Sequence, residues 1–161
     1  MKKISYMLIL LTFLSCRYFN VSPVNGITIK DLIEKPNKSE MIGIWEVDEF
    51  SYQLNEQKGF EKRKIELDLM ENGTFKITNL PSYINPLDQS FDKYVTTGGT
   101  WSIVKDYEGE NWVLKMSYDK SSLYNSGMST TYDLFLKYDE IIIWEFIGDP
   151  DSGERFLYIK K

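Results

Sequence analysis

Residues 98–118, G-G-T-W-S-I-V-K-D-Y-E-G-E-N-W-V-L-K-M-S-Y, read as two strands joined by a tight turn. Trp101 and Ile103 share one face of the first strand; Trp112, Leu114, Met116 and Tyr118 share one face of the second. Alternation with period two marks a strand that buries one face. Asp106-Tyr107-Glu108-Gly109-Glu110 supplies the turn chemistry between them. Similar strands flank this hairpin on both sides, which places it in the middle of an all-β meander.

Upstream, Ile65, Leu67 and Leu69 point one way while Lys64, Glu66 and Asp68 point the other. Asn72-Gly73 follows, a pair that tolerates positive φ and predicts a two-residue primed hairpin turn, with Phe75 and Ile77 continuing the buried face. The first strand opens at Met41-Ile42-Gly43-Ile44-Trp45 and is expected to run to Leu54. Its phase slips at Asp48-Glu49, so a β-bulge is expected there. Downstream, Tyr132, Leu134, Leu136 and Tyr138 alternate. Ile141–Ile147 is apolar on both faces apart from Glu145, and 154–160 completes the set.

Eight strands result, at about 42–54, 64–70, 74–79, 99–105, 111–118, 130–138, 141–147 and 154–160. In an up-and-down meander, alternate connections share an end. The connections 55–63, 80–98, 119–129 and 148–153 then fall together, and each is longer than any of 71–73, 106–110 and 139–140 at the other end. A barrel with a loop-decorated mouth and a tightly turned base is expected, with strand eight antiparallel to strand one so that the sheet closes.

The 161-residue chain has 19 basic and 24 acidic side chains, no histidine and a single cysteine, Cys16. Acidic balance argues against nucleic acid as a partner. Lack of histidine removes Ser-His-Asp, Cys-His and His-ligated metal chemistry. The chain is read as non-enzymatic, without metal or cofactor. Asp149-Pro-Asp-Ser-Gly-Glu154 spaces its oxygens as Ca²⁺ loops do, but a hairpin loop of this composition needs no ion.

Lys2 and Lys3 precede the apolar run Ile4–Leu14, which ends in Phe13-Leu14-Ser15-Cys16. This resembles the lipobox of bacterial lipoproteins. The resemblance implies cleavage after residue 15, acylation of Cys16, and residence in the bacterial cell envelope, anchored by lipid at the outer membrane. Residues 1–15 are then signal peptide, 16–40 a tether with a short helix from Thr28 through Ile33, and 41–161 the barrel domain.

Gly43-Ile44-Trp45 at the start of strand one, the helical segment before it and the eight meandering strands together resemble the lipocalin-like barrels. Gly99-Thr100-Trp101 is similar to the G-T-W strands of avidin-like barrels. The lipocalin T-D-Y motif is absent. No arginine stands near the end of the last strand to cover the first tryptophan; Lys160 or Lys161 lies there instead. The resemblance implies a barrel base at Gly43 and Trp45 and a small apolar ligand bound within. The alternative is a filled barrel whose mouth loops bind a protein partner. Tyr83, Phe91 and Tyr94 of the long 80–98 connection, Tyr124 of the 119–129 connection and Arg155 are the expected contacts for either occupant, because aromatics on a scaffolded loop serve as lids or anchors.

Overall fold

The structure, a computed structural model, describes residues 29–84, 93–120 and 128–161. Its elements are strand β1 (Ile29–Asp31), helix α1 (Lys38–Met41), strand β2 (Gly43–Val47), helix α2 (Glu49–Gln57), and strands β3 (Glu66–Leu69), β4 (Thr74–Pro81), β5 (Tyr94–Lys105), β6 (Trp112–Tyr118), β7 (Ser129–Lys137), β8 (Glu140–Phe146) and β9 (Arg155–Lys160). Strands β2 to β9 pair with their sequence neighbours, all antiparallel. The ring closes where β9 pairs with β2, Trp45 opposite Lys160 and Val47 opposite Tyr158. The protein is therefore a closed eight-stranded antiparallel barrel.

The central hairpin forms between the two expected strands. Gly99 faces Tyr118, Trp101 faces Met116 and Ile103 faces Leu114, so one inner face is continuous across both strands. Gly99 is required by proximity. A Cβ there would stand 2.0 Å from the Ser117 carbonyl oxygen, because β5 and β6 approach closely at this point. The Asp106 carboxylate caps the turn by accepting from the backbone N–H groups of Glu110 and Asn111 at 2.9 and 3.1 Å.

Sequence period and structure part company at four places. Strand one does not bulge and continue to Leu54; it ends at Val47, and α2 follows. Asp48 caps that helix, its Oδ1 accepting from Ser51 N at 3.0 Å. Ser51, Tyr52, Leu54 and Asn55 are buried, a spacing that belongs to a helix face and not to a strand. Second, no helix runs from Ile29. Ile29–Asp31 is β1, which pairs with Phe135–Lys137 of β7 beyond the end of β6, and the N-terminal helix lies later, at Lys38–Met41. Thr28 lies outside the described residues.

Third, the 70–73 turn is not primed. Gly73 N donates to Met70 O at 3.0 Å, and within the turn only Gly73 has positive φ, at 83°. A three-residue loop with a left-handed glycine in its last position fits that geometry. Fourth, β4 and β5 extend far into the long connection, to Pro81 and from Tyr94, with the β4–β5 register shifting between Ile77 and Leu80.

Connections 48–65, 82–93, 119–128 and 147–154 share the mouth, and 70–73, 106–111 and 138–139 share the base. The N-terminal stretch passes beneath the barrel and closes it. Leu32 is buried and Met41 fully so, Trp112 Nε1 donates to Ile33 O at 3.2 Å, and Trp45 Nε1 donates to Met41 O at 2.8 Å. Trp45, 1% exposed, is covered by a lysine. Lys160 Nζ lies 5.7 Å from its ring centroid and donates to Glu40 O at 2.6 Å.

Candidate functional site

Inside the barrel, the lower levels are filled by apolar side chains, among them Trp45, Leu67, Leu69, Phe75, Leu114 and Met116. The upper level is different. Tyr118 at the mouth end of β6 and Tyr132 on β7 share a hydrogen bond, hydroxyl to hydroxyl, at 2.9 Å. Tyr132 also hydrogen-bonds the carboxyl group of Glu145 on β8. The Tyr158 ring stacks on Tyr132 at 6.2 Å between centroids. These four residues project inward because their strands alternate and their registers bring the inward positions to similar height.

Glu145 is the odd member. The strand around it is apolar on both faces, and Glu145 Oε2 is buried without a hydrogen-bond partner among the described residues. Burial pushes its pKa up to about 8, against a smaller downward pull from the Tyr132 hydrogen bond. At neutral pH this side chain is predominantly a neutral carboxylic acid, able to donate as well as accept.

The roof over this upper level is α2 and the segment after β4. The helix takes over beside β9 where β2 stops: Asp48 N donates to Leu157 O at 2.8 Å, and Leu157 N donates to Ser51 Oγ at 3.1 Å. Tyr83 sits in the one-turn helix 82–84. Its hydroxyl donates to Asn55 Oδ1 at 2.5 Å, and its ring packs 5.3 Å from Phe60 and 6.5 Å from Phe156. Burial raises the Tyr83 hydroxyl's pKa, with smaller contributions from Glu154, Tyr94 and Glu145. Asn55, 1% exposed, has its Nδ2 donor unpaired among the described residues. Tyr94, the first residue of β5, packs 5.2 Å from Phe60, carries the Arg63 guanidinium on its ring and donates to Glu61 O.

Of the contacts expected from the sequence, Tyr83 and Tyr94 thus come together, but as packed members of the roof and not as free aromatics. Phe91 and Tyr124 lie outside the described residues, as does Cys16. Arg155 is not presented at the mouth. It points outward from β9, is 3% exposed, and forks onto Asp48 with NH1 to Oδ1 at 3.3 Å and NH2 to Oδ2 at 3.0 Å. Phe50 and Trp144 flank its guanidinium at 4.5 and 4.6 Å. The alternation of β9 explains this: Phe156 and Tyr158 take the interior positions, so Arg155 and Leu157 take the exterior ones. Gly43 and Trp45 are the first and third residues of β2, Trp45 buried.

The 147–154 connection satisfies itself. Asp149 accepts from Asp151 N at 3.0 Å, Ser152 Oγ accepts from Glu154 N at 3.2 Å, and Glu154 pairs with Lys58 at 2.6 Å. Among the described residues, no group of three or more Asp, Glu, His or Cys side chains is placed to hold a metal ion. Comparisons with protein-family models, curated proteins and solved structures find no match.

Proposed function

We propose that the protein is a lipid-anchored lipoprotein of the bacterial cell envelope whose lipocalin-like barrel binds one small, largely apolar molecule carrying a hydrogen-bonding group. The observation that supports this reading is the interior acid. Glu145 Oε2 and Asn55 Nδ2 are an unused acceptor or donor and an unused donor, both buried at the top of the barrel. A buried polar group left unpaired costs about 1–3 kcal/mol, and such groups in a native interior call for an occupant. A few convergent polar groups in apolar surroundings are the usual form of a small-molecule site. In this reading the ligand's polar end meets Glu145 beside the Tyr118–Tyr132 pair, and its apolar body meets Phe156 and the roof aromatics. Since the base is sealed, entry is through the mouth and requires the roof to move.

A non-enzymatic interaction module is the second reading. The tight packing of Tyr83 and Tyr94 on Phe60 favours it, because a closed roof leaves the outside of the barrel as the working surface. Native mass spectrometry of the mature protein, purified without denaturation, separates the two. Carriage of a ligand predicts an added small-molecule mass that is lost in Glu145→Leu. An unadorned mass in every preparation supports the interaction module.

A further inference from the structure

Near the base, the stretch leading into α1 and the lower half of β5 leave an open cleft between them. Residues 35–38 form one side and residues 101–103 the other, around a volume of about 640 Å³. Small-molecule sites usually measure about 300–1,000 Å³. Pro36, Trp101 and Ile103 supply apolar surface, and Asn37 and Ser102 supply polar groups. The Trp101 indole is fixed in place, since its Nε1 donates to Met70 O at 3.1 Å.

Charge sets this cleft apart. Among the described residues it is lined by two lysines and by no Asp or Glu, in a chain whose 24 acidic side chains outnumber its 19 basic ones. Lys38 Nζ stands 5.6 Å from the centroid of the Trp101 ring. Lys35 Nζ stands 5.4 Å from that of Trp112, a ring that Lys105 Nζ also approaches, at 4.5 Å. Lys30, Lys58, Lys62, Lys64 and Lys161 each pair with a carboxylate; among the described residues, Lys35 and Lys38 do not. Glu40, the acid of α1, is engaged locally, its Oε2 accepting from Asn37 N at 2.6 Å. The indole faces hold the two ammonium groups near the cleft, so less side-chain freedom remains to be lost when an anion arrives.

We infer that this cleft binds a small organic anion, an acidic group on a ring-sized apolar body. Lys35 and Lys38 take the acidic group; Pro36, Trp101 and Ile103 take the body. The site is independent of the one proposed at Glu145, which lies at the other end of the barrel and offers a neutral acid instead of a cation. The two therefore select different ligands, and either can fail without the other.

The probe is naphthalene-1-carboxylate, with the uncharged naphthalene-1-methanol as its matched control. Each is titrated into the purified protein while the indole N–H signals of Trp45, Trp101, Trp112 and Trp144 are followed by NMR. Saturable shifts at Trp101 and Trp112, with Trp144 unmoved, are expected from the carboxylate. The carboxylate should bind about tenfold more tightly than the alcohol at low salt, about threefold for each lysine, and high salt should erase the difference. Lys35→Met and Lys38→Met keep the apolar stems on the indoles; each should weaken the carboxylate about threefold and leave the alcohol unchanged, with Tm and the remaining spectrum as in wild type. Glu145→Leu should leave carboxylate binding intact. Equal binding of acid and alcohol would overturn the anion site, and so would the absence of saturable shifts at Trp101 and Trp112. Carboxylate binding that is lost in Glu145→Leu but kept in both lysine variants would also overturn it, by moving the probe to the interior.

Discussion

Replacing Glu145 with Gln keeps the size and hydrogen-bonding capacity of the side chain and removes its titration. In the folded barrel its pKa is about 8; in the unfolded chain it returns to the ordinary value of 4.5. Below pH 4.5 both states hold the proton and the acid contributes nothing to pH dependence. Between 4.5 and 8 the unfolded chain ionises while the folded one does not, so rising pH favours unfolding by about 1.4 kcal/mol per pH unit. By pH 7 the accumulated penalty is about 3 kcal/mol, and above pH 8 it levels off near about 5 kcal/mol. Urea denaturation of ligand-free wild type and Glu145→Gln from pH 4.5 to 9 reads this directly. The two should have similar stability at the acid end and diverge through neutrality, with the variant about 3 kcal/mol the more stable at pH 7. A difference that stays constant across pH 5–8 would refute a buried, desolvated Glu145 and with it the polar handle of the proposed site.

Asp48→Ala removes both the cap of α2 and the partner of a buried guanidinium, and should cost about 3–5 kcal/mol by denaturation; Asp48→Ala in an Arg155→Leu background should cost much less. Gly99→Ala would drive a Cβ into the Ser117 carbonyl, so a loss of at least ~3 kcal/mol is expected, and a neutral effect would mean that the β5–β6 register is wrong. Gly73→Val finds open space around its Cβ, with nothing closer than 3.9 Å, and should therefore cost only the left-handed backbone penalty, more than ~1 kcal/mol in Tm-derived stability. Tyr83→Phe removes the bond to Asn55 and should lower stability by about 1 kcal/mol; no loss would show that the roof is not held through that contact.

Most of the barrel is legible in the residues. Alternation in 98–118 and 64–77 predicts strands, and the sorting of long and short connections to opposite ends predicts a meander that closes. The helix α2 escapes for a physical reason. Phe50, Tyr52 and Leu54 alternate as a strand would, and over so few residues that spacing does not separate the two periods. The discriminating sign is Asp48 followed by an acidic Glu49, a helix start that also reads as a phase slip. The interior site is legible only as an anomaly, one acid in an otherwise apolar β8. Tyr132, which bonds it, and Tyr118, which bonds Tyr132, have the look of core aromatics, because the chain of contacts from Tyr118 to Glu145 depends on registers between three strands that no local pattern specifies. Arg155 shows the converse: its place near the mouth follows from strand order, but its side of the sheet follows from which neighbours fill the interior.

The account rests on an occupant at the top of the barrel. A high-resolution crystal structure of the protein purified gently from its native source tests that most directly. The account predicts ordered non-protein density under α2, with an atom about 2.5–3.2 Å from Glu145 Oε2 and apolar mass against Phe156. Density accounted for by side chains alone, with Glu145 Oε2 paired to a protein group, would contradict it.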